Sequence, residues 1–156
     1  MSIGNKLFKL TEWLPLMTRL FLGGLFIYAS TNKILHPAYF ARAVYNYQIL
    51  PDALINLTAL VMPWLELLLG VCLVGGVWLP GATVISTGLL TVFIGAMTFN
   101  QVRGLNIHCG CFSTQITEGP ATLWTVARDL GFWTLSVYLT LFVFFFRPAA
   151  SKLYEP

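Results

Sequence analysis

Apolar positions along this chain come in long, unbroken runs separated by short polar intervals. Four runs reach the roughly 20 residues needed to cross the hydrocarbon core of a bilayer: about 14–34, 53–78, 80–102 and 121–146. They are continuously apolar and do not alternate in and out, which argues against a membrane β-barrel. The pattern predicts an all-α protein, a four-transmembrane-helix bundle forming a single membrane domain over residues 1–156.

The intervals between the runs set the layout. Trp78-Leu79-Pro80-Gly81 reads as a tight turn, because proline cannot continue the preceding helix and glycine accepts turn dihedrals. The second and third spans are then antiparallel neighbours. The two longer connections, about 35–52 and 103–120, fall on one common side of a four-span bundle. The first of them, His36 to Pro51, is bounded by prolines and rich in aromatic residues, and it predicts a short helix lying in the membrane interface. It serves either as an aromatic belt or as a lid over a lipid-soluble ligand. In the third span Gly81, Gly88 and Gly95 recur every seven residues, a stripe that lets another backbone approach closely. No internal repeat supports an inverted-repeat transporter.

Composition and charge sharpen this picture. With 57% hydrophobic and 10% charged residues and a mean hydropathy of +0.75, the polar surface is too small for a water-soluble globule. Aromatic residues at 15% and only three cysteines fit neither a disordered chain nor a disulfide-dense secreted scaffold. The net charge of +3 is too small and scattered for a nucleic-acid surface. Lys6 and Lys9 precede an apolar stretch too long for a cleavable signal and interrupted by Arg19, so the start reads as an uncleaved signal-anchor. Lys6, Lys9, Arg147 and Lys152 flank the terminal side, against Lys33, Arg42 and Arg103 on the other. Retention of positive charge in the cytoplasm then places both termini inside and both long loops outside.

The chemistry-bearing residues gather at that outer side. His108-Cys109-Gly110-Cys111-Phe112 follows the third span directly. A disulfide across so short a loop is strained, and strain makes it labile and oxidising, suited to exchange. Positive charge from His108, Arg103 and Arg128 favours the thiolate. The residues alone leave open a redox pair, a structural disulfide, two plain thiols and a His/Cys metal site, for which no fourth ligand is evident. Cys72, in the second span, reads as a small core residue. Glu66 lies halfway along that span, where a carboxylate costs several kcal/mol unless neutralised or paired. Either it pairs with Arg19 or is held protonated and hydrogen-bonded, or it handles protons or a ligand. Lys33, Arg128 and His108 would present donors to carbonyl oxygens at the interface, and Asp129 would pair with loop groups.

Several of these residues carry a family resemblance. Arg19-Leu20, Gly23-Gly24-Leu25-Phe26 and Ser30-x-x-Lys33 stand in the first span, followed by Pro37, Phe40 and Pro51. Pro63-x-x-Glu66-x-x-x-Gly70 stands in the second, with the Cys-Gly-Cys-Phe loop after the third. Over nearly its whole length the chain resembles the DoxX-like membrane proteins and, more closely, the MauE family named for methylamine utilisation. Ser113 stands where glycine would be expected, a departure that bears on loop shape. The resemblance implies a bundle in the bacterial cytoplasmic membrane, associated with maturation of a disulfide-rich periplasmic subunit alongside a thioredoxin-like partner.

Together these observations favour a membrane thiol:disulfide oxidoreductase supporting maturation of a periplasmic disulfide-containing partner. Cys109 is the expected nucleophile, Cys111 the resolving thiol and His108 their neighbour. A membrane quinone is the expected electron acceptor by analogy with other four-helix disulfide-generating enzymes, with Lys33, Arg128 and Glu66 as its candidate contacts. No metal is assigned, lipid is the surrounding partner, and a homo-oligomer is compatible with the sequence. Two other readings remain: a non-enzymatic assembly factor, and a small-solute or metal transporter.

Overall fold

A computed structural model describes the backbone at residues 3–104 and 123–145, and side chains at 13–104 and 124–145. Five helices follow in order: α1 (Ile3–Leu35), α2 (Pro37–Asn46), α3 (Asp52–Gly75), α4 (Leu79–Val102) and α5 (Leu123–Phe145). Four of them contain segments long and apolar enough to cross a membrane, Trp13–Leu35, Asp52–Gly75, Leu79–Val102 and Trp124–Phe145. The protein is a multi-pass membrane protein.

Its side chains are distributed as lipid, not water, requires. Large apolar groups such as Phe21, Trp64, Leu68, Val92 and Phe145 face outward. Lys33, Glu66, Asp129, Ser30, Thr83, Ser86 and Ser136 are buried alongside a core that includes Leu22, Leu73, Ala82 and Leu139. An apolar exterior costs nothing against acyl chains, whereas each inward polar group must find a partner inside the protein.

The tightest helix contact is between α1 and α3. A Cβ on Gly70 would lie 2.8 Å from the Gly23 carbonyl oxygen and 3.0 Å from the Ile27 nitrogen, so both backbones cross with no room for a side chain. By contrast, a Cβ at Gly88 or Gly95 would meet nothing within 4 Å. The seven-residue stripe on α4 is therefore not the close-packing surface within this chain. Gly81 serves a local purpose, since a Cβ there would lie 2.7 Å from the Trp78 ring.

The turn between α3 and α4 falls earlier than the Trp78–Gly81 segment. Gly76, at φ 72°, caps α3 in the left-handed conformation, and Trp78, at φ 48°, precedes α4. Pro80 belongs to the first turn of α4, where its missing N–H has no helical partner to lose. Glycine ended the helix before proline had to, which also brings the second span back from 78 to 75.

A hydroxyl ladder joins α4 to α5. Ser136 Oγ lies 3.2 Å from Ser86 Oγ and 2.8 Å from Thr87 Oγ1, and Thr87 Oγ1 lies 3.0 Å from Thr140 Oγ1. One helical turn further along, Trp133 Nε1 donates to Thr91 Oγ1 at 2.9 Å. Contacts rising on α4 while falling on α5 make the two antiparallel. The short helix expected in the first long connection is present as α2, which packs mainly on α3 and buries Phe40.

Candidate functional site

The α1–α3 crossing builds a buried ion pair. Successive contacts run Arg19 with Gly76, Gly23 with Gly70 and Lys33 with Glu66, so the helices are antiparallel. From the glycine crossing, Lys33 lies ten residues along α1 and Glu66 four along α3, or about 15 Å and 6 Å at the helical rise. Each side chain leans toward its own helix N-terminus, which in this antiparallel arrangement means toward the other. The lysine stem spans the remaining gap.

Lys33 Nζ donates to Glu66 Oε1 at 2.6 Å and to Oε2 at 2.8 Å. Both side chains are only 2% exposed. The ammonium also sits 4.9 Å from the centre of the Phe40 ring and 5.1 Å from that of Phe93, within cation–π range. A bidentate carboxylate and two ring faces thus replace the hydration that a buried ammonium loses.

A small cavity of about 30 Å³ adjoins the pair, with Phe26, Lys33, Glu66, Phe93 and Asp129 among its lining residues. It has room for about one water. Asp129 is nearly buried and accepts from Arg128 Nε at 3.1 Å, while Arg128 is 37% exposed. Two carboxylates and one ammonium therefore line one cavity where α1, α3, α4 and α5 converge, and the Arg128 guanidinium joins it through Asp129.

This placement revises several sequence expectations. Glu66 pairs with Lys33 and not with Arg19, whose guanidinium lies at the Gly76 cap, ten residues away on α3. Lys33 is not an interface donor free to meet a carbonyl oxygen, because its helix position directs it inward onto Glu66. Arg128 engages Asp129, its neighbour in sequence. The structure thus brings Lys33 and Glu66 together, with Arg128 joined to their cavity through Asp129. Sequence reasoning missed Phe40, Phe93 and Asp129 as parts of this cluster. A lysine and a glutamate both inside apolar spans were the available signal that each needed the other. Cys72 is half-buried against the core, as expected. Cys109, Cys111 and His108 lie outside the described residues. No group of three His, Cys, Asp or Glu side chains among the described residues is placed to hold a metal.

Comparison with known proteins places the chain in a family. The profile of the family described as methylamine utilisation protein MauE matches residues 11–154. The chain belongs to the MauE family. It is 36% identical over 113 residues to the methylamine utilization protein MauE of Paracoccus denitrificans, covering 72% of this chain and 60% of that protein. Against the protein of the same name from Methylorubrum extorquens, identity is 40% over 114 residues, covering 72% and 61%. This MauE-family chain thus matches about three fifths of the length of these curated relatives. No solved structure matches it.

Proposed function

We propose that this protein is a thiol–disulfide redox protein of the bacterial cytoplasmic membrane that supports maturation of a periplasmic partner in methylamine utilisation. The partner is a thioredoxin-like or disulfide-containing protein. Cys109 and Cys111 exchange with its thiols. In the forward step the loop disulfide accepts two electrons from a partner dithiol, leaving the partner oxidised and the loop pair reduced. A membrane quinone then takes two electrons and two protons from the loop dithiol, restoring the disulfide and forming a quinol.

The observation that carries this reading is the ionic cluster beneath the loop's anchors. The cysteines lie in sequence between the end of α4 and the start of α5. Asp129 and Arg128 stand in the second turn of α5, and Phe93 faces Lys33 from α4. Charge concentrated there fits a site that must move protons while electrons leave thiols. Family membership supports the pathway, and the Cys-Gly-Cys spacing supports exchange.

The test is partner maturation in cells carrying Cys109→Ser with Cys111→Ser. The redox reading expects partner disulfides to fail to form while the variant accumulates in the membrane at wild-type level. Normal partner disulfides with the variant in place would assign the chain to non-enzymatic assembly.

A further inference from the structure

Arg42 and Tyr45 stand three residues apart on α2, and Asp52 and Asn56 stand four apart on α3, so each pair shares one face of its helix. The two faces line a single open cleft of about 400 Å³, together with Ala41 and Ile55. One wall supplies a guanidinium and a phenol, the other a carboxylate and a carboxamide. All four polar side chains are exposed. Among the described residues, neither Arg42 nor Asp52 forms an ion pair, with each other or with any third group.

Opposite charges that line one cleft without meeting are complementary to a molecule bearing both, its anion toward Arg42 and its cation toward Asp52. A guanidinium matches phosphate with two parallel N–H donors. A carboxylate and a carboxamide oxygen one helical turn apart accept hydrogen bonds from a primary ammonium, which has three N–H donors. They have nothing to accept from a quaternary ammonium, which has none.

The position of the cleft says where such a molecule comes from. Asp52 is the first residue of a membrane-spanning segment, which sets the cleft at headgroup depth. Asp52, Asn56, Leu60 and Trp64 follow one another at four-residue steps along one ridge of α3, and all four are exposed. From Asn56 to Trp64 is eight residues, or about 12 Å at the helical rise, most of the roughly 15 Å hydrocarbon depth of one leaflet. The ridge is polar at its end and apolar below, in the order of a phospholipid headgroup and its chain.

We propose that this cleft binds a zwitterionic phospholipid with a primary ammonium, one carrying a phosphoethanolamine headgroup. Its phosphate sits on Arg42, its ammonium on Asp52 and Asn56, and an acyl chain lies along Leu60 and Trp64. The lipid comes from the leaflet in which α2 lies, and by bridging the two walls it fastens α2 to α3. The site is separate from the Lys33–Glu66 cluster and from the thiol chemistry.

The experiment reads lipids retained by the full chain in native mass spectrometry after release from nanodiscs. The nanodiscs hold equal amounts of dioleoyl-phosphatidylethanolamine and dioleoyl-phosphatidylcholine, which share phosphate and tails and differ in N–H donors. The ethanolamine lipid is expected to be retained about fivefold over the choline lipid, the scale of one exposed ion pair. Asp52→Asn should abolish that preference, and Arg42→Gln should lower retention of both lipids about fivefold. Gly88→Ala, which enters open space, should change neither, and circular dichroism checks that each variant is folded. Equal retention of the two lipids, a preference that survives Asp52→Asn, or unchanged retention by Arg42→Gln would each overturn the site and leave the two charges to a protein partner. Soluble glycerophosphoethanolamine should displace no lipid, and displacement would overturn the bilayer as the source of the ligand.

Discussion

Replacing Lys33 by methionine removes one half of the most deeply buried charge pair among the described residues. Methionine keeps an unbranched stem of similar length, so the packing of Phe26, Phe40 and Phe93 around the site changes little. What is lost is the bidentate contact at 2.6 and 2.8 Å and both cation–π contacts. Glu66, 2% exposed, is left without its partner. Breaking a buried pair on one side costs about 3–5 kcal/mol. Exchanging both partners for apolar residues of similar volume is near neutral or stabilising by about 1–4 kcal/mol. The double variant Lys33→Met, Glu66→Met should therefore be more stable than either single variant. Reversible unfolding by SDS in mixed micelles, followed by circular dichroism, gives all four corners of the cycle. A Lys33→Met cost below about 1 kcal/mol, or a double variant whose cost is the sum of the singles, would refute the pair as the feature joining α1 to α3.

Three other outcomes follow from the same structure. Gly70→Ala should destabilise by about 1–3 kcal/mol in the same unfolding assay, because its methyl must displace backbone, whereas Gly88→Ala should be neutral or stabilising by up to about 1 kcal/mol. Ser136→Ala should cost between about 0.6 kcal/mol, the average for a hydrogen bond between membrane helices, and the maximum of about 1.7, since its hydroxyl meets both Ser86 and Thr87. In a cysteine-free background, a membrane-impermeant maleimide added to intact spheroplasts should label Tyr45→Cys and spare Val77→Cys, and the opposite pattern would invert the topology.

Much of the fold was legible because lipid imposes a coarse rule. A run of about 20 apolar residues has few alternatives to a spanning helix, so the four spans are readable to within a few residues. The α2 helix was readable from the prolines that bound its segment and from its wealth of aromatic residues. Helix ends were less so. Gly75-Gly76 and Pro80 both signal a stop near the same turn, and sequence cannot rank them until Gly76 is seen in the left-handed conformation. The glycine crossing was misplaced for a related reason. A regular stripe at 81, 88 and 95 looks like a packing surface, yet close approach depends on which faces meet, and the glycines that meet are Gly23 and Gly70.

The site shows the same limit. Glu66 announced itself by being charged inside a span, and Arg19 was a reasonable partner on charge alone. Register decides the matter: Arg19 and Gly76 sit at one level of the antiparallel pair, and Lys33 and Glu66 at another. Lys33 was read as an interface residue because it stands two positions from the end of α1. Its side chain runs back toward the helix N-terminus, and that direction buries it. Phe40 was marked only by its place in the family resemblance, and Phe93 by nothing beyond being one of twelve phenylalanines.

The most direct measurement reduces the purified protein in nanodiscs, removes the reductant, adds decylubiquinone and counts free thiols and quinol together. Two thiols lost and one quinol formed per chain, with neither change in the Cys109→Ser, Cys111→Ser variant, is the predicted result. An unchanged thiol count in the presence of bound quinone would contradict the proposed electron path.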